Sequence, residues 1–194
     1  MLSVPFLFLA TIATIVSGAT LTETIGVAMG EAVAAIGKIR TEWQIDKYPN
    51  FMQSCGMHKS SWELMKHRFM KAIVQGLDKQ DATYHISFMG SSVTAGHDSY
   101  LNQSYPILVG EMMKATFAKA GIKFTTSNNA IGNNPCLPYD ACVATFAGAH
   151  ADMVHWEQSY NCFDPDAPEQ FVRQASFMPK QPIVVYSDST TFNW

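Results

Sequence analysis

Charged residues are scarce in this sequence. Of its 194 residues only 15% are charged, the net charge is −3, and hydrophobic residues make up 47%. The excess of basic side chains that marks proteins binding polyanions is absent, so we expect no nucleic-acid partner. A composition this apolar also excludes a disordered chain, and the length suits one globular domain with a core of its own.

No lysine or arginine precedes Lys38. Residues 2–16 are an apolar run that ends in small residues at positions 17–19, which is typical of a secretory signal peptide. We therefore predict a signal peptide over residues 1–18 and a secreted or extracytoplasmic protein without a stable membrane span. An uncleaved membrane anchor is the alternative, because only the amino terminus supplies positive charge and residues 25–36 are also apolar.

Cysteines are few: the sequence has Cys55, Cys136, Cys142 and Cys162. No two of them form Cys-x-x-Cys, and their spacings match no zinc pattern. An even number in an exported chain favours disulfides, for which three connectivities are possible. Cys136 and Cys142 flank a short turn and are the candidates for local pairing, while buried free thiols are the alternative.

The amino-terminal third gives weaker signals. Residues 19–59 show no strong periodicity, and we treat them as a lead-in segment of unknown role. Ser60 and Glu63 form a capping box that predicts the start of a helix and of the main domain, residues 60–194. Apolar residues at helical spacing predict a core-facing side for this helix: Trp62, Met65, Phe69, Ile73 and Leu77.

From Tyr84 onward strands and helices alternate. Strands are predicted from Tyr84 to Gly90 and over 124–129, 152–157 and 182–186. Helices are predicted from Ser104 to about Ala120 and over about 138–148 and 168–177. This alternation predicts an α/β fold, a three-layer α/β/α sandwich around a parallel sheet. Ligands of such sheets bind at the carboxyl ends of the strands.

Three of these strand ends carry residues suited to ester hydrolysis. Ser92 follows the first strand, where a serine at the start of a helix has backbone N–H groups nearby to stabilise an oxyanion. Gly132 follows the second strand and Asn161 the third. We expect all three residues at the same edge of the sheet.

The order and spacing of these motifs resemble the SGNH (GDSL-like) hydrolases, over roughly half of the chain. The resemblance implies a flavodoxin-like serine esterase that hydrolyses O-acyl esters without a metal or cofactor. Ser92 would be the nucleophile, and its own N–H, the Gly132 N–H and the Asn161 amide would be the oxyanion donors. The substrate would be a small acyl ester or an acylated carbohydrate.

The sequence also departs from the family pattern. Ser91 stands where the GDSL signature has Asp, and Ser159 and Cys162 replace the usual Gly and Asp around Asn161. The family's Asp-x-x-His motif, which supplies the base, does not occur before Trp194. We expect a C-terminally incomplete SGNH domain; the alternative is a non-catalytic SGNH-like module that binds an acylated or carbohydrate ligand.

None of the histidines replaces the missing base convincingly. His85 and His155 lie within predicted strands, and His97, which follows Ser92 most closely, is expected to have a structural or surface role. Glu157, at the end of a predicted strand, is expected to be a solvated or structural acid, as is Asp188 beyond the last strand.

Overall fold

The computed structural model describes residues 21–42, 47, 59–77, 81–158 and 162–187. The predicted signal peptide, Cys55, Asn161 and Asp188 lie outside this part of the chain. The helices are α1 (Leu21–Glu42), α2 (Lys59–Leu77), α3 (Ser92–Ala95), α4 (Tyr105–Lys119), α5 (Cys136–Tyr139), α6 (Val143–Ala147) and α7 (Ala167–Ser176), with a 3-10 turn over Leu101–Gln103. The strands are β1 (Thr83–Gly90), β2 (Lys123–Asn128), β3 (Met153–Glu157) and β4 (Ile183–Ser187).

The chain forms two compact units. The first contains the described residues up to Thr83 together with Met112–Lys123. The second contains Tyr84–Glu111 and the described residues from Phe124 onward, and so holds nearly all of the sheet.

The first unit contains α1 and α2. Helix α1 lies in the segment that shows no strong periodicity, and its residues Val27, Met29 and Val33 are exposed. Among the described helices, none combines the length and the hydrophobicity that a membrane span requires.

Helix α2 confirms the prediction of a helix but not its details. It begins at Lys59, one residue before the predicted start at Ser60, and Glu63 in its second turn pairs with Lys66 at 2.8 Å. The prediction that Trp62 faces a core is wrong: its side chain is 47% exposed, with the Lys66 ammonium 6.0 Å from the ring. An amphipathic indole tolerates such a surface position.

The four strands form one parallel sheet in the order β2-β1-β3-β4, which confirms the predicted α/β class. Phe88 of β1 pairs with His155 of β3, and His155 pairs with Val185 of β4. The chain leaves β1 toward one edge of the sheet and then returns past it to β3. In sheets with such a reversal, ligands bind at the carboxyl ends of the strands on either side of it, here β1 and β3.

Side chains of the two sheet faces pack against different helices, because successive residues of a strand point to opposite faces. On one face Met89, Val154 and Trp156 join the core that α5, α6 and α7 cover, with Trp156 stacked on Phe171 at 4.3 Å between ring centroids. On the other face Phe88 and His155 contact Tyr105 at the start of α4, at 5.5 and 5.7 Å. Helices therefore cover both faces, as the predicted three-layer sandwich requires.

The disulfide links Cys136 to Cys162, with 4.9 Å between their Cα atoms, and Cys142 is a free, exposed thiol. The predicted local pairing of Cys136 with Cys142 is wrong. In the order β2-β1-β3, the loops that follow β2 and β3 meet beyond the end of β1, and this meeting brings Cys136 and Cys162 together.

Candidate active site

Strand β1 ends where its main chain comes very close to β3. A Cβ atom at Gly90 would lie 2.2 Å from the carbonyl oxygen of Glu157, and φ is +152°, so only glycine fits here. The next residue, Ser91, donates its N–H to that same carbonyl at 2.8 Å. This close approach fixes the point at which the chain turns from β1 into α3.

Ser92 is the first residue of α3, and it is half-buried. Ser91 caps the helix: its Oγ accepts from the Val93 N–H at 3.2 Å. The Asn128 amide, at the end of β2, donates to the Thr94 carbonyl at 3.0 Å at the other end of this short helix. The sequence therefore places the serine at a strand-to-helix turn held from both sides.

Gly132 lies beside this serine. The Ile131 N–H donates to the Gly90 carbonyl at 3.2 Å, which docks the loop after β2 onto the end of β1. A Cβ atom at Gly132 would lie 3.5 Å from the Ser92 Cβ and 3.8 Å from its Cα. The structure thus brings together two of the three predicted site residues; the third, Asn161, lies outside the described residues.

The loops after β2 and β3 are tied to each other. Besides the disulfide, the buried side chain of Gln158 donates to the carbonyl of Asn134. The Tyr139 hydroxyl donates to the Asn129 carbonyl at 3.0 Å and holds the start of the first loop. Gly132 and the chain that leads to Asn161 therefore belong to two loops that a covalent bond and a hydrogen bond connect.

No histidine within the described residues hydrogen-bonds to Ser92. His97 is exposed, and its Nδ1 lies 3.0 Å from a carboxylate oxygen of Asp98. His85 lies on β1 and contacts Thr125 and Ser127 of β2 at 2.8 and 3.1 Å; burial lowers its pKa, with a smaller contribution from His150. His85 thus lies within a strand as predicted, and the exposed position of His97 agrees with the structural or surface role predicted for it.

Sequence reasoning missed a partly buried row of hydrogen-bonded polar side chains that ends beside α3, and we call this row the hydroxyl chain. It runs Ser187–His155–Tyr105–Thr94–Glu157, with contacts of 2.8, 3.3, 2.7 and 3.0 Å in that order, and Ser91 joins it at Glu157 at 2.6 Å. The sequence predicted that Glu157 is either a solvated or a structural acid. Because it is only 7% exposed, it is a structural acid. One signal for this row was present in the sequence. Side chains alternate between the two faces of a strand, so His155 and Glu157 of β3, two residues apart, lie on the same face.

Burial shifts the pKa values of two members of the hydroxyl chain, His155 and Tyr105. The pKa of His155 falls to about 4, because burial disfavours the imidazolium, although the nearby Glu157 carboxylate opposes the shift. Burial also raises the pKa of the Tyr105 phenol, against the opposing effect of its hydrogen bond with Thr94. At neutral pH both groups are therefore uncharged.

The fold and the site define an α/β protein with a serine and a glycine side by side at the carboxyl edge of a parallel sheet. Its structure is similar to that of a two-domain esterase (CEX) active on acetylated mannans and co-crystallised with mannopentaose. In that comparison the TM-score is 0.50, the identity 25%, and the match covers 62% of this chain and 34% of the other. A second structure of a two-domain esterase (CEX) active on acetylated mannans matches with a TM-score of 0.48 and 25% identity over 61% of this chain and 33% of that one.

This chain therefore spans about a third of the length of these esterases. Its sequence matches no protein-family model and no curated protein.

Proposed function

We propose that this chain carries the nucleophile of a secreted SGNH-type serine esterase that hydrolyses O-acyl esters of an acylated carbohydrate. The observation that carries the proposal is the approach of the Gly132 main chain to Ser92, with 3.5 Å between the Ser92 Cβ and the position of a Cβ at Gly132. That approach puts the main chain at Gly132 beside the Ser92 side chain, which is where the family resemblance requires a backbone donor. The similarity to an esterase of acetylated mannans supports the carbohydrate part.

In the proposed reaction the Ser92 Oγ attacks the acyl carbon and gives its proton to a base. The carbonyl oxygen becomes an oxyanion, which the N–H groups of Ser92 and Gly132 and the Asn161 amide stabilise. The C–O bond to the sugar then breaks, the sugar oxygen takes the proton, and water releases the acyl group by the same steps. A neutral amide suits the third donor, because it donates without the full charge that would hold the carboxylate product.

The base is the part of the site that the described residues do not supply. The resemblance to the SGNH family places it in an Asp-x-x-His motif, and we propose that such a motif completes the site. The disulfide between Cys136 and Cys162 supports the extracytoplasmic location, since disulfides persist in oxidising compartments.

The test is labelling with a fluorophosphonate probe, together with hydrolysis of a p-nitrophenyl acyl ester. Residues 19–194 and a version extended through a downstream Asp-x-x-His are compared, each with Ser92→Ala and with the control Ser176→Ala. Ser176 is an exposed serine whose hydroxyl donates to the Arg173 carbonyl. We expect labelling of the extended form alone, its loss in Ser92→Ala, and a fall in kcat of several orders of magnitude.

Activity that survives Ser92→Ala would refute the proposal. Binding of acetylated mannan without labelling of either form would favour the non-catalytic module.

Asn161→Ala tests the third donor in the same extended protein. Because a bond to the oxyanion strengthens mainly in the transition state, kcat should fall about 10²- to 10³-fold with little change in KM. A change confined to KM would instead place Asn161 in substrate binding.

A further inference from the structure

Glu157 contacts the residues on both sides of the serine. Its Oε2 accepts from the Ser91 hydroxyl at 2.6 Å and from the Thr94 hydroxyl at 3.0 Å. Its main-chain carbonyl accepts from the Ser91 N–H at 2.8 Å. Glu157 of β3 therefore holds α3 at two points, Ser91 just before Ser92 and Thr94 two residues after it.

The contacts of Glu157 fix the direction of the hydrogen bonds in the hydroxyl chain. A hydroxyl has one proton, and Thr94 gives its proton to the carboxylate, so the Tyr105 hydroxyl must donate to Thr94. Tyr105 can then only accept from His155 Nδ1, and His155 Nε2 in turn accepts from Ser187. All the bonds point toward Glu157, and His155 is a neutral imidazole protonated at Nδ1.

Ser91 is fixed in the same way. It donates its proton to Glu157 and accepts from the Val93 N–H at 3.2 Å, so its side chain is held at two points. Ser91 and Thr94 are both fully buried, and water therefore does not compete for their hydroxyls.

We propose that Glu157 is a positioning residue for the Ser92 nucleophile, because its carboxylate is the common acceptor that orients Ser91 and Thr94 and so sets the start of α3. This role rests on the proposed function of Ser92. Glu157 does not touch the substrate; it acts through its two hydroxyl partners. A purely apolar strand end would avoid the cost of burying a carboxylate but would leave both hydroxyls without their acceptor.

The test compares Glu157→Leu with Glu157→Gln in the full-length protein that reacts with the probe. Leucine removes the acceptor, and we expect kcat to fall about 10²-fold with KM changed less than about threefold, as for a misplaced reacting atom. Glutamine keeps an oxygen acceptor at the same reach, and kcat should stay within about tenfold of the wild type. The matched control is Glu169→Leu, since Glu169 is an exposed acid that pairs with Arg173.

A readout that does not depend on activity is the protonation site of His155, followed by ¹⁵N NMR of the imidazole. We expect the Nδ1–H form in the wild type and in Glu157→Gln. In Glu157→Leu, Thr94 loses its acceptor and can donate to Tyr105. The hydrogen bonds of the hydroxyl chain should then reverse their direction, and His155 should carry its proton on Nε2. Thr94→Val, which removes the link between Tyr105 and Glu157, serves as the second variant if Glu157→Leu does not fold.

The outcomes separate the two proposals. Suppose that the probe labels the wild type at Ser92. The positioning role alone is then overturned if Glu157→Leu has the kcat of the wild type, or if His155 of the wild type is protonated at Nε2. A wild type that never reacts at Ser92 overturns the proposed function, and the positioning role fails with it. Loss of kcat with the reversed tautomer in Glu157→Leu, and its recovery in Glu157→Gln, supports the proposal.

Discussion

Acid should destabilise this protein through His155. The pKa of its imidazole is lowered from 6.5 to about 4 in the folded state, first by burial. The unfolded chain therefore binds more protons at this site between pH 6.5 and pH 4, and the contribution to stability is lost as the pH falls through that window. Above pH 6.5 the imidazole is neutral in both states, and the contribution no longer changes.

The magnitude follows from the two pKa values. Between pH 7 and pH 4.5, a site with these values makes the free energy of unfolding fall by about 2 kcal/mol. Carboxylates elsewhere also titrate in this range, so the useful quantity is the difference between the wild type and His155→Gln. The variant should lose about 2 kcal/mol less than the wild type between the two pH values.

Urea denaturation at several pH values, followed by circular dichroism, measures this difference. His97→Gln is the matched control, because it removes a surface histidine whose side chain is 70% exposed. Equal slopes of stability against pH for the wild type and His155→Gln would refute the reasoning, since they would show that His155 is as readily protonated in the folded state as in the unfolded one.

Two further predictions concern the loops around the site. Replacing Cys136 and Cys162 together with serine should lower the free energy of unfolding by about 3.5 kcal/mol, the loop-entropy value for a separation of 26 residues, as measured by urea denaturation without reductant. An equal loss in the control Cys142→Ser, which removes a free and exposed thiol, would contradict this prediction. Gly132→Val should leave the melting temperature nearly unchanged but lower the rate of probe labelling about 10²-fold, because its extra methyl groups crowd the 3.5 Å approach to Ser92. A melting temperature that falls together with the labelling rate would indicate a folding role for Gly132 instead.

Local sequence patterns were enough to predict the parallel sheet and the position of Ser92. Alternating strands and helices specify crossovers on their own, and a glycine followed by serines marks a strand-to-helix turn. Helix α4 is an example: the sequence predicts a helix from Ser104 to about Ala120, and the helix spans Tyr105–Lys119. These features depend on residues that are neighbours in the sequence.

Only the tertiary structure decided which distant residues meet. Cys136 pairs with Cys162 because the sheet order brings together the loops after β2 and β3, whereas sequence spacing favoured Cys142. Glu157 became a buried acceptor for Ser91 because the register of β1 on β3 places Gly90 opposite Glu157. Strand order and register depend on packing across the whole core, and for that reason no local pattern in the sequence reveals them.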